Sequence, residues 1–270
     1  MYKLDKNLKE ALSKIKYFLL DLDGTLYLEG KPIGDMANTL DFLRSKGKKL
    51  VYLTNNSSKS TSVYVERLKN IGFYKEGDLV YSSGLATVEY LNRYHKGKKV
   101  YLLGTDAMKK EMADNGINLT EKVDADIAVM SYDTELTYEK LCNFLRNVHF
   151  GATYIATHPD NNCPAKDVYL PDVGSYIKMI EVTSGYTPSL IIGKPNDIMG
   201  KNLKARFNEE NDEAFIMVGD RLYTDIAFGK NSNFYAMLVM SGETTEDMIP
   251  SAPKAPDFIL PSLNDVKEYL

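Results

Sequence analysis

The stretch Phe18-Leu-Leu-Asp-Leu-Asp-Gly-Thr-Leu-Tyr27 decides how this chain begins to fold. The stretch begins inside an unbroken apolar run that starts at Tyr17 and is closed by an acid. Tyr17–Asp21 is therefore predicted as a strand buried on both faces of a parallel sheet. Two carboxylates, Asp21 and Asp23, end the run, and side chains two residues apart in a strand face the same side. Like charges at that spacing repel each other and are costly to bury. Either they are solvated in an Asp-Gly surface turn, or a cation lies between them.

Two other predicted strand ends carry groups that suit an anion. Thr54-Asn55-Asn56-Ser57-Ser58 follows the predicted strand Lys49–Leu53, and its hydroxyl, amide and N–H groups either bind an anion or cap the next helix. Capping is favoured for Ser58, whereas both interpretations stay open for Thr54 and Asn55. Lys194, between a glycine and a proline after an apolar run, is either a solvated surface charge or a point charge for a phosphate or an acid cluster.

A fourth strand end repeats the acidic pattern of the first. Gly219-Asp220 ends the apolar run of Ala214–Val218, and Asp225 follows at a predicted helix start. A turn at Gly219-Asp220 and helix capping by Asp225 are the alternatives to a functional role. Because ligands of open α/β sheets bind at the carboxyl ends of the strands, acids, hydroxyl, amide and lysine are expected to converge there.

Short apolar runs alternate with helical patterns along the whole chain, which predicts an α/β fold with parallel sheets. Two organisations are compatible with this alternation: a second domain inserted at about Tyr81–Gly185, which is favoured, or one long doubly wound sheet. The helices predicted in the first part of the chain are Asp35–Lys46 and Ser60–Asn70. The further predicted strands are Lys99–Leu103, Asp126–Met130, Thr153–Ala156, Leu190–Ile192, Tyr235–Val239 and Asp257–Leu260.

Composition and motif searches exclude several classes of protein. The chain has 270 residues and a net charge of −4, so it lacks the excess positive charge that attracts nucleic acid. No apolar run approaches the ~20 residues needed to span a membrane. Met1–Lys16 lacks the apolar core of a signal peptide, and Cys142 and Cys163 give neither a disulfide framework nor a thiolate metal site. A cytoplasmic location is therefore expected. Neither a G-x-x-x-x-G-K-[ST] phosphate loop nor a G-x-G-x-x-G dinucleotide motif occurs.

Three carboxylates at one sheet edge require a cation, and oxygen-only ligands favour Mg²⁺. Magnesium, a lysine and strand-end N–H groups together can surround a phosphoryl group, whose transfer depends mostly on positioning and charge stabilisation. One aspartate would then be an ionised nucleophile bound to the metal, and the other an acid–base.

With all four segments in view, the sequence resembles the haloacid dehalogenase (HAD) superfamily, and within it the 4-nitrophenylphosphatase-like (NagD-type) subfamily. The resemblance extends over nearly the whole chain and implies a Rossmann-like core, residues 1–80 and 186–270, with an inserted α/β cap of the C2 type, residues 81–185. The superfamily motifs are Asp21-Leu-Asp23-Gly24-Thr25, Thr54-Asn55-Asn56, Gly193-Lys194-Pro195 and Gly219-Asp220-Arg-Leu-Tyr-Thr-Asp225. The subfamily features are Gly104-Thr, Ala156-Thr-His-Pro-Asp160, Gly174-Ser and Gly242-Glu-Thr-Thr245.

The resemblance also implies catalytic and metal-binding roles. Asp21 attacks phosphorus to form an aspartyl-phosphate, and Asp23 protonates the leaving alcohol and then activates water. Asp21, the main-chain carbonyl of Asp23 and Asp220 hold Mg²⁺. Asp225 orients these ligands, and Lys194 grips the phosphoryl oxygens and pairs with Asp21.

The same resemblance assigns phosphate and leaving-group contacts. Thr54 and Asn55, with Asn56 beside them, belong to the phosphate-binding motif. The cap segment Thr157–Pro164 faces the active site, and its candidates for contacting the leaving group are His158, Asp160, Asn162 and Cys163. For His158 a loop hydrogen bond is the favoured alternative.

The predicted function is a Mg²⁺-dependent phosphomonoesterase for small phosphate esters such as sugar phosphates, nucleotides, pyridoxal phosphate or 4-nitrophenyl phosphate. The alternatives are a non-catalytic phosphate-binding or regulatory protein on the same fold, and a phosphotransferase. A small phosphorylated metabolite is the expected partner, with a homodimer through the cap plausible by resemblance and neither nucleic acid nor membrane expected.

Overall fold

The computed structural model describes residues 6–28, 30–164 and 167–270, and the predicted α/β fold is confirmed. Met1–Asp5, part of the segment considered above as a signal peptide, lie outside the described residues. The strands are β1 (Tyr17–Leu20), β2 (Tyr27–Leu28), β3 (Lys31–Pro32), β4 (Lys49–Thr54), β5 (Leu79–Ser82), β6 (Lys99–Leu103), β7 (Asn118–Leu119), β8 (Ile127–Met130), β9 (Thr153–Ala156), β10 (Asn162–Pro164), β11 (Tyr169–Pro171), β12 (Leu190–Ile191), β13 (Phe215–Gly219), β14 (Tyr235–Val239) and β15 (Phe258–Leu260).

Helices separate most of these strands, as the alternating pattern predicts. The α-helices are α1 (Lys6–Lys14), α2 (Met36–Ser45), α3 (Thr61–Asn70), α4 (Ser83–Tyr94), α5 (Asp106–Asp114), α6 (Tyr138–His149), α7 (Val173–Ser184), α8 (Ile198–Phe207) and α9 (Ala227–Asn231). Shorter turns of 3₁₀ helix are Asp212–Ala214, Glu246–Ser251 and Leu263–Glu268, and Leu222–Ile226 is one turn of π-helix.

The chain forms two compact units, each with its own main sheet, so the alternative of one long sheet is wrong. The first unit comprises the described residues of Met1–Thr54, with Tyr64–Tyr81 and Lys194–Leu270. The second comprises Asn55–Val63 and Ser82–Gly193, both of which fall between segments of the first unit in the chain.

The first unit contains a six-stranded sheet in the order β15-β14-β13-β1-β4-β5. Strand β1 lies inside it, parallel to β13 on one side and to β4 on the other. Its four residues are fully buried, which explains why the run Tyr17–Leu20 is apolar without alternation. Helix α2 packs on this core through Met36, Leu40 and Leu43, and truncating such a buried leucine to alanine typically costs ~2–5 kcal/mol. Because β1, β4 and β13 are parallel, their carboxyl ends meet at one edge.

The second unit contains a five-stranded parallel sheet in the order β12-β9-β8-β6-β7. Its buried core includes Phe144 of α6 and Tyr154 of β9, whose rings meet edge to face at 4.9 Å. The described residues contain no disulfide, as expected from the two scattered cysteines.

Candidate active site

Three aspartates from two strand ends of the first unit form an acidic cluster. Asp21 follows β1, Asp220 follows β13, and Asp225 lies within the π-helical turn Leu222–Ile226. One carboxylate oxygen of each lies within 4.8 Å of the others. Asp220 and Asp225 are buried and Asp21 is partly buried, so the geometry joins three acids where solvent screens them little.

Lys194 neutralises part of this cluster. Its Nζ lies 2.6 Å from Asp21 Oδ1 and 2.6 Å from Asp225 Oδ1, and its side chain is only 3% exposed. Burial by itself disfavours the charged amine, but the two carboxylates outweigh burial and raise the pKa of Lys194 above its ordinary value. The lysine predicted from sequence as either a surface charge or a point charge is therefore a buried cation.

One lysine does not balance the acids. Burial raises the pKa of Asp21 well above its usual range, although Lys194 opposes this, and the neighbouring carboxylates raise it further. Burial and repulsion by Asp225 likewise raise the pKa of Asp220 to about 6. The cluster thus favours additional positive charge. Its donors are carboxylate oxygens within bridging distance of one another, a set that suits a hard divalent cation such as Mg²⁺.

A cradle around Asp220 was not predicted from sequence. A Cβ on Gly24, whose φ is +84°, would lie 2.4 Å from Asp220 Oδ2, and a Cβ on Gly242 would lie 2.0 Å from the same atom. The backbone N–H of Glu243 donates to Asp220 Oδ2 at 2.7 Å, and the Thr244 hydroxyl donates to the Asp220 carbonyl oxygen. Both glycines are therefore required by the close approach of the carboxylate.

Asp23 is not one of the three carboxylates of this cluster. Its side chain is exposed, and its backbone forms a bridge with Tyr27. Strand β1 ends at Leu20, and Gly24 has a positive φ of +84°, so both aspartates follow the strand; the expectation that they share one face stays a prediction. The predicted roles of Asp23 as acid–base and as carbonyl metal ligand stay predictions.

The residues of the predicted phosphate motif belong to different units. Thr54 is the last residue of β4, in the first unit, and it is buried. In the second unit, Nδ2 of Asn55 donates to both carboxylate oxygens of Asp160 at 3.1 Å. Oδ1 of Asn56 accepts from the backbone N–H and the hydroxyl of Ser58, at 2.9 and 2.7 Å, which is a local turn contact.

His158 is fully buried within the second unit. Its Nε2 lies 2.9 Å from Asp172 Oδ1, and its Nδ1 lies 3.0 Å from the Thr157 hydroxyl and 3.4 Å from that of Ser83. Both ring nitrogens thus have partners, which supports the loop hydrogen bond over direct contact with a leaving group. Of the other cap candidates, Asn162 is exposed and Cys163 is partly exposed.

Two family models match this chain along most of its length. The model described as haloacid dehalogenase-like hydrolase matches residues 18–118, and one described as HAD-hydrolase-like matches residues 191–266. The chain belongs to the haloacid dehalogenase-like hydrolase family. The predicted architecture, a Rossmann-like core with a cap, is also the architecture of the solved structures that this chain resembles. The predicted fold class is therefore confirmed.

Individual relatives define the subfamily. The acid sugar phosphatase of Staphylococcus saprophyticus is 32% identical over 260 residues, which cover 96% of this chain and 99% of that protein. The crystal structure of a 4-nitrophenylphosphatase from Thermotoga maritima is 38% identical with a TM-score of 0.90, covering 96% of this chain and 98% of that one. The predictions of a HAD-type phosphatase and of its 4-nitrophenylphosphatase-like subfamily are confirmed.

A further relative was solved with a metal. The glycerol phosphate phosphatase of Mycobacterium tuberculosis, in complex with magnesium, is 25% identical with a TM-score of 0.86, covering 94% of this chain and 77% of that one. Within the described residues of this chain, no helix has the length and apolar character required to cross a membrane.

Proposed function

We propose that this HAD-type phosphatase hydrolyses small phosphate monoesters, sugar phosphates first among them, with Mg²⁺ and through a covalent intermediate on Asp21. The acidic cluster of Asp21, Asp220 and Asp225, held by Lys194, carries the proposal, because it combines a nucleophile with the charges that a phosphoryl group needs. The names of the relatives, which include acid sugar phosphatase, 4-nitrophenylphosphatase and glycerol phosphate phosphatase, support a small ester. Nucleotides and pyridoxal phosphate belong to the same substrate class.

In the proposed mechanism Asp21 supplies the nucleophilic oxygen. The carboxylate attacks phosphorus, the bond to the ester oxygen breaks, and Asp23 gives its proton to the leaving alcohol. Asp23 then takes a proton from water, whose oxygen attacks the same phosphorus and releases phosphate, so that Asp21 is regenerated. Lys194, 2.6 Å from Asp21 Oδ1, fixes the orientation of the nucleophile and opposes the negative charge around it.

Asp21 and Asp220 would hold Mg²⁺ together with the carbonyl oxygen of Asp23, and Asp225 would orient them. Bound there, the metal supplies charge stabilisation to the phosphoryl oxygens. Thr54, the terminal residue of β4, is proposed to donate its hydroxyl to the phosphoryl group, with Asn55 and Asn56 following it in the chain.

Two further parts of the proposal rest on the resemblance. Residues 81–185 would act as the cap that selects the leaving group, and residues 1–80 and 186–270 would form the catalytic core. Two copies of the chain would form a homodimer through their caps. His158 is assigned a supporting role within the cap, because its ring is buried and partnered.

The decisive experiment replaces the nucleophile. Asp21→Asn is expected to abolish 4-nitrophenyl phosphate hydrolysis in the presence of Mg²⁺ while the protein stays folded, as measured by circular dichroism. Asp114→Asn, which changes an exposed aspartate paired with Lys110, is the matched control and should retain full activity. Full activity of Asp21→Asn would remove the nucleophile assignment.

The two alternatives are tested with the unmodified enzyme. A non-catalytic binding protein would release no phosphate with or without EDTA, whereas the proposed enzyme releases phosphate and stops when EDTA is added. A phosphotransferase would place the phosphoryl group on an added alcohol, and product analysis with glycerol or ethanol as acceptor distinguishes this from hydrolysis.

A further inference from the structure

An ion pair lies beside the acidic cluster and takes no part in the proposed mechanism. Arg221 Nε is 2.8 Å from Glu243 Oε2, a contact by charge and distance rather than an aligned hydrogen bond. The Tyr223 hydroxyl donates to the other oxygen, Oε1, of Glu243 at 2.7 Å. The pair joins two separate loops, one after β13 and the other after β14.

The backbone of each partner binds one acid of the cluster. The N–H of Glu243 donates to Asp220 Oδ2 at 2.7 Å, and the N–H of Arg221 donates to Asp225 Oδ2 at 3.1 Å. A continuous series of contacts therefore runs from Asp220 through Glu243 and Arg221 to Asp225. Asp220, Arg221 and Asp225 all follow β13, and only Glu243 lies on the other loop. Breaking the ion pair therefore frees the Glu243 loop to move away and removes the N–H that holds the Asp220 carboxylate in place.

We propose that the Arg221–Glu243 ion pair is a positioning device that, through the Glu243 N–H, holds the Asp220 carboxylate at the distance from Asp21 required by a small divalent cation, and so favours Mg²⁺ over Ca²⁺. The inference rests on the proposed metal site. Magnesium demands near-ideal octahedral geometry at about 2.0–2.1 Å, whereas calcium accepts flexible geometry at about 2.3–2.6 Å. A rigid separation of the acids thus matters more for the smaller ion.

Charge alone predicts a different result. Replacing Glu243 by glutamine removes a negative charge near the cluster and leaves the Arg221 cation without its counter-charge, which weakens Mg²⁺ and Ca²⁺ equally because both ions carry two charges. Loss of positioning weakens Mg²⁺ much more than Ca²⁺. The ratio of the two affinities therefore separates positioning from electrostatics.

The experiment measures binding of MgCl₂ and of CaCl₂ to the metal-free full chain by titration calorimetry, with unfolding temperatures as the check of folding. In Glu243→Gln the dissociation constant for Mg²⁺ should rise about tenfold or more, as expected when a residue supporting a metal ligand is lost, and that for Ca²⁺ less than about threefold. The double variant Arg221→Gln/Glu243→Gln, which keeps the net charge, should lose the same discrimination. Glu209→Gln is the matched control, since Glu209 pairs with Lys16 at 2.7 Å elsewhere in the first unit, and it should leave both constants unchanged.

Equal weakening of both ions in Glu243→Gln, or unchanged constants, would overturn the inference while leaving the proposed function intact. A parent protein that binds neither ion would overturn the metal site and this inference together.

Discussion

Replacing Lys194 tests whether its ammonium group stabilises the acidic cluster. Lys194→Met removes the charge of this side chain while keeping much of its length. The variant leaves Asp21, Asp220 and Asp225 within 4.8 Å of one another without their ammonium partner. With all groups ionised, the charge of the cluster goes from −2 to −3. We expect the variant to fold less stably than the parent when both are metal-free, and to lose phosphatase activity when Mg²⁺ is present.

The size of the effect follows from burial. Removing one partner of a buried ion pair typically costs ~3–5 kcal/mol, because the remaining charge stays desolvated. Lys194 is 3% exposed and Asp225 1%, so solvent offers little compensation. At ~2–4 °C per kcal/mol for a domain of this size, the unfolding temperature at pH 7.5 in EDTA should fall by roughly 6–20 °C.

Magnesium should reverse part of that loss. A cluster with one more negative charge binds a divalent cation more tightly, and a ligand at about a hundred times its dissociation constant stabilises the native state by ~2.7 kcal/mol. Differential scanning calorimetry with EDTA and with Mg²⁺ measures both quantities. The rise in unfolding temperature on adding Mg²⁺ should be larger for Lys194→Met than for the parent.

Lys230→Met is the matched control. Lys230 pairs at 2.6 Å with Asp257 alone, and both side chains are more exposed than those of the Lys194 pairs, so a loss below about 1 kcal/mol is expected. If Lys194→Met changed the unfolding temperature no more than this control does, or if Mg²⁺ stabilised it less than the parent, the account of a buried and undercompensated acidic cluster would be refuted.

Three other substitutions probe the same reasoning. Asp220→Asn should stabilise the metal-free protein by roughly 1–3 kcal/mol at pH 7.5, because a carboxyl whose folded pKa is raised to about 6 destabilises the native state when it is ionised. The parent's carboxyl becomes protonated as the pH falls from about 6 towards 4, so the stability advantage of the variant should shrink over that range. Thermal unfolding in EDTA at several pH values measures this. Gly242→Ala would bring a Cβ to 2.0 Å from Asp220 Oδ2, so the carboxylate must move by over about 1 Å, and the Mg²⁺ dissociation constant in calorimetry should rise at least ~10-fold. His158→Leu removes the imidazole hydrogen bond of the buried Asp172 carboxylate and should cost ~1–3 kcal/mol by denaturant unfolding. An unchanged midpoint would contradict the structural role of His158.

Local sequence was sufficient to predict several of the buried strands. Lys99–Leu103, Thr153–Ala156 and Tyr235–Val239 were predicted with the bounds that the structure has, because after its first residue each is a continuous buried run of apolar and aromatic side chains. The short strand Leu190–Ile191 was predicted to within one residue, whereas the equally short strands Lys31–Pro32 and Asn118–Leu119 were missed. They are too short to show a period, and their pairing with a neighbouring strand defines them.

The sequence by itself determined the family and the position of the acids at strand ends, and it led to the expectation of a cation, because these depend on residue types at short spacings along the chain. Only the tertiary structure decided which side chains meet. Lys194 pairs with an aspartate 173 residues away, Glu243 lies against Asp220, and His158 turns inward to Asp172. The same local sequence pattern is compatible with a ligand contact or with a structural contact. Strand order and burial decide which of the two occurs, because strand order sets the partners of each polar group and burial sets its exposure to water.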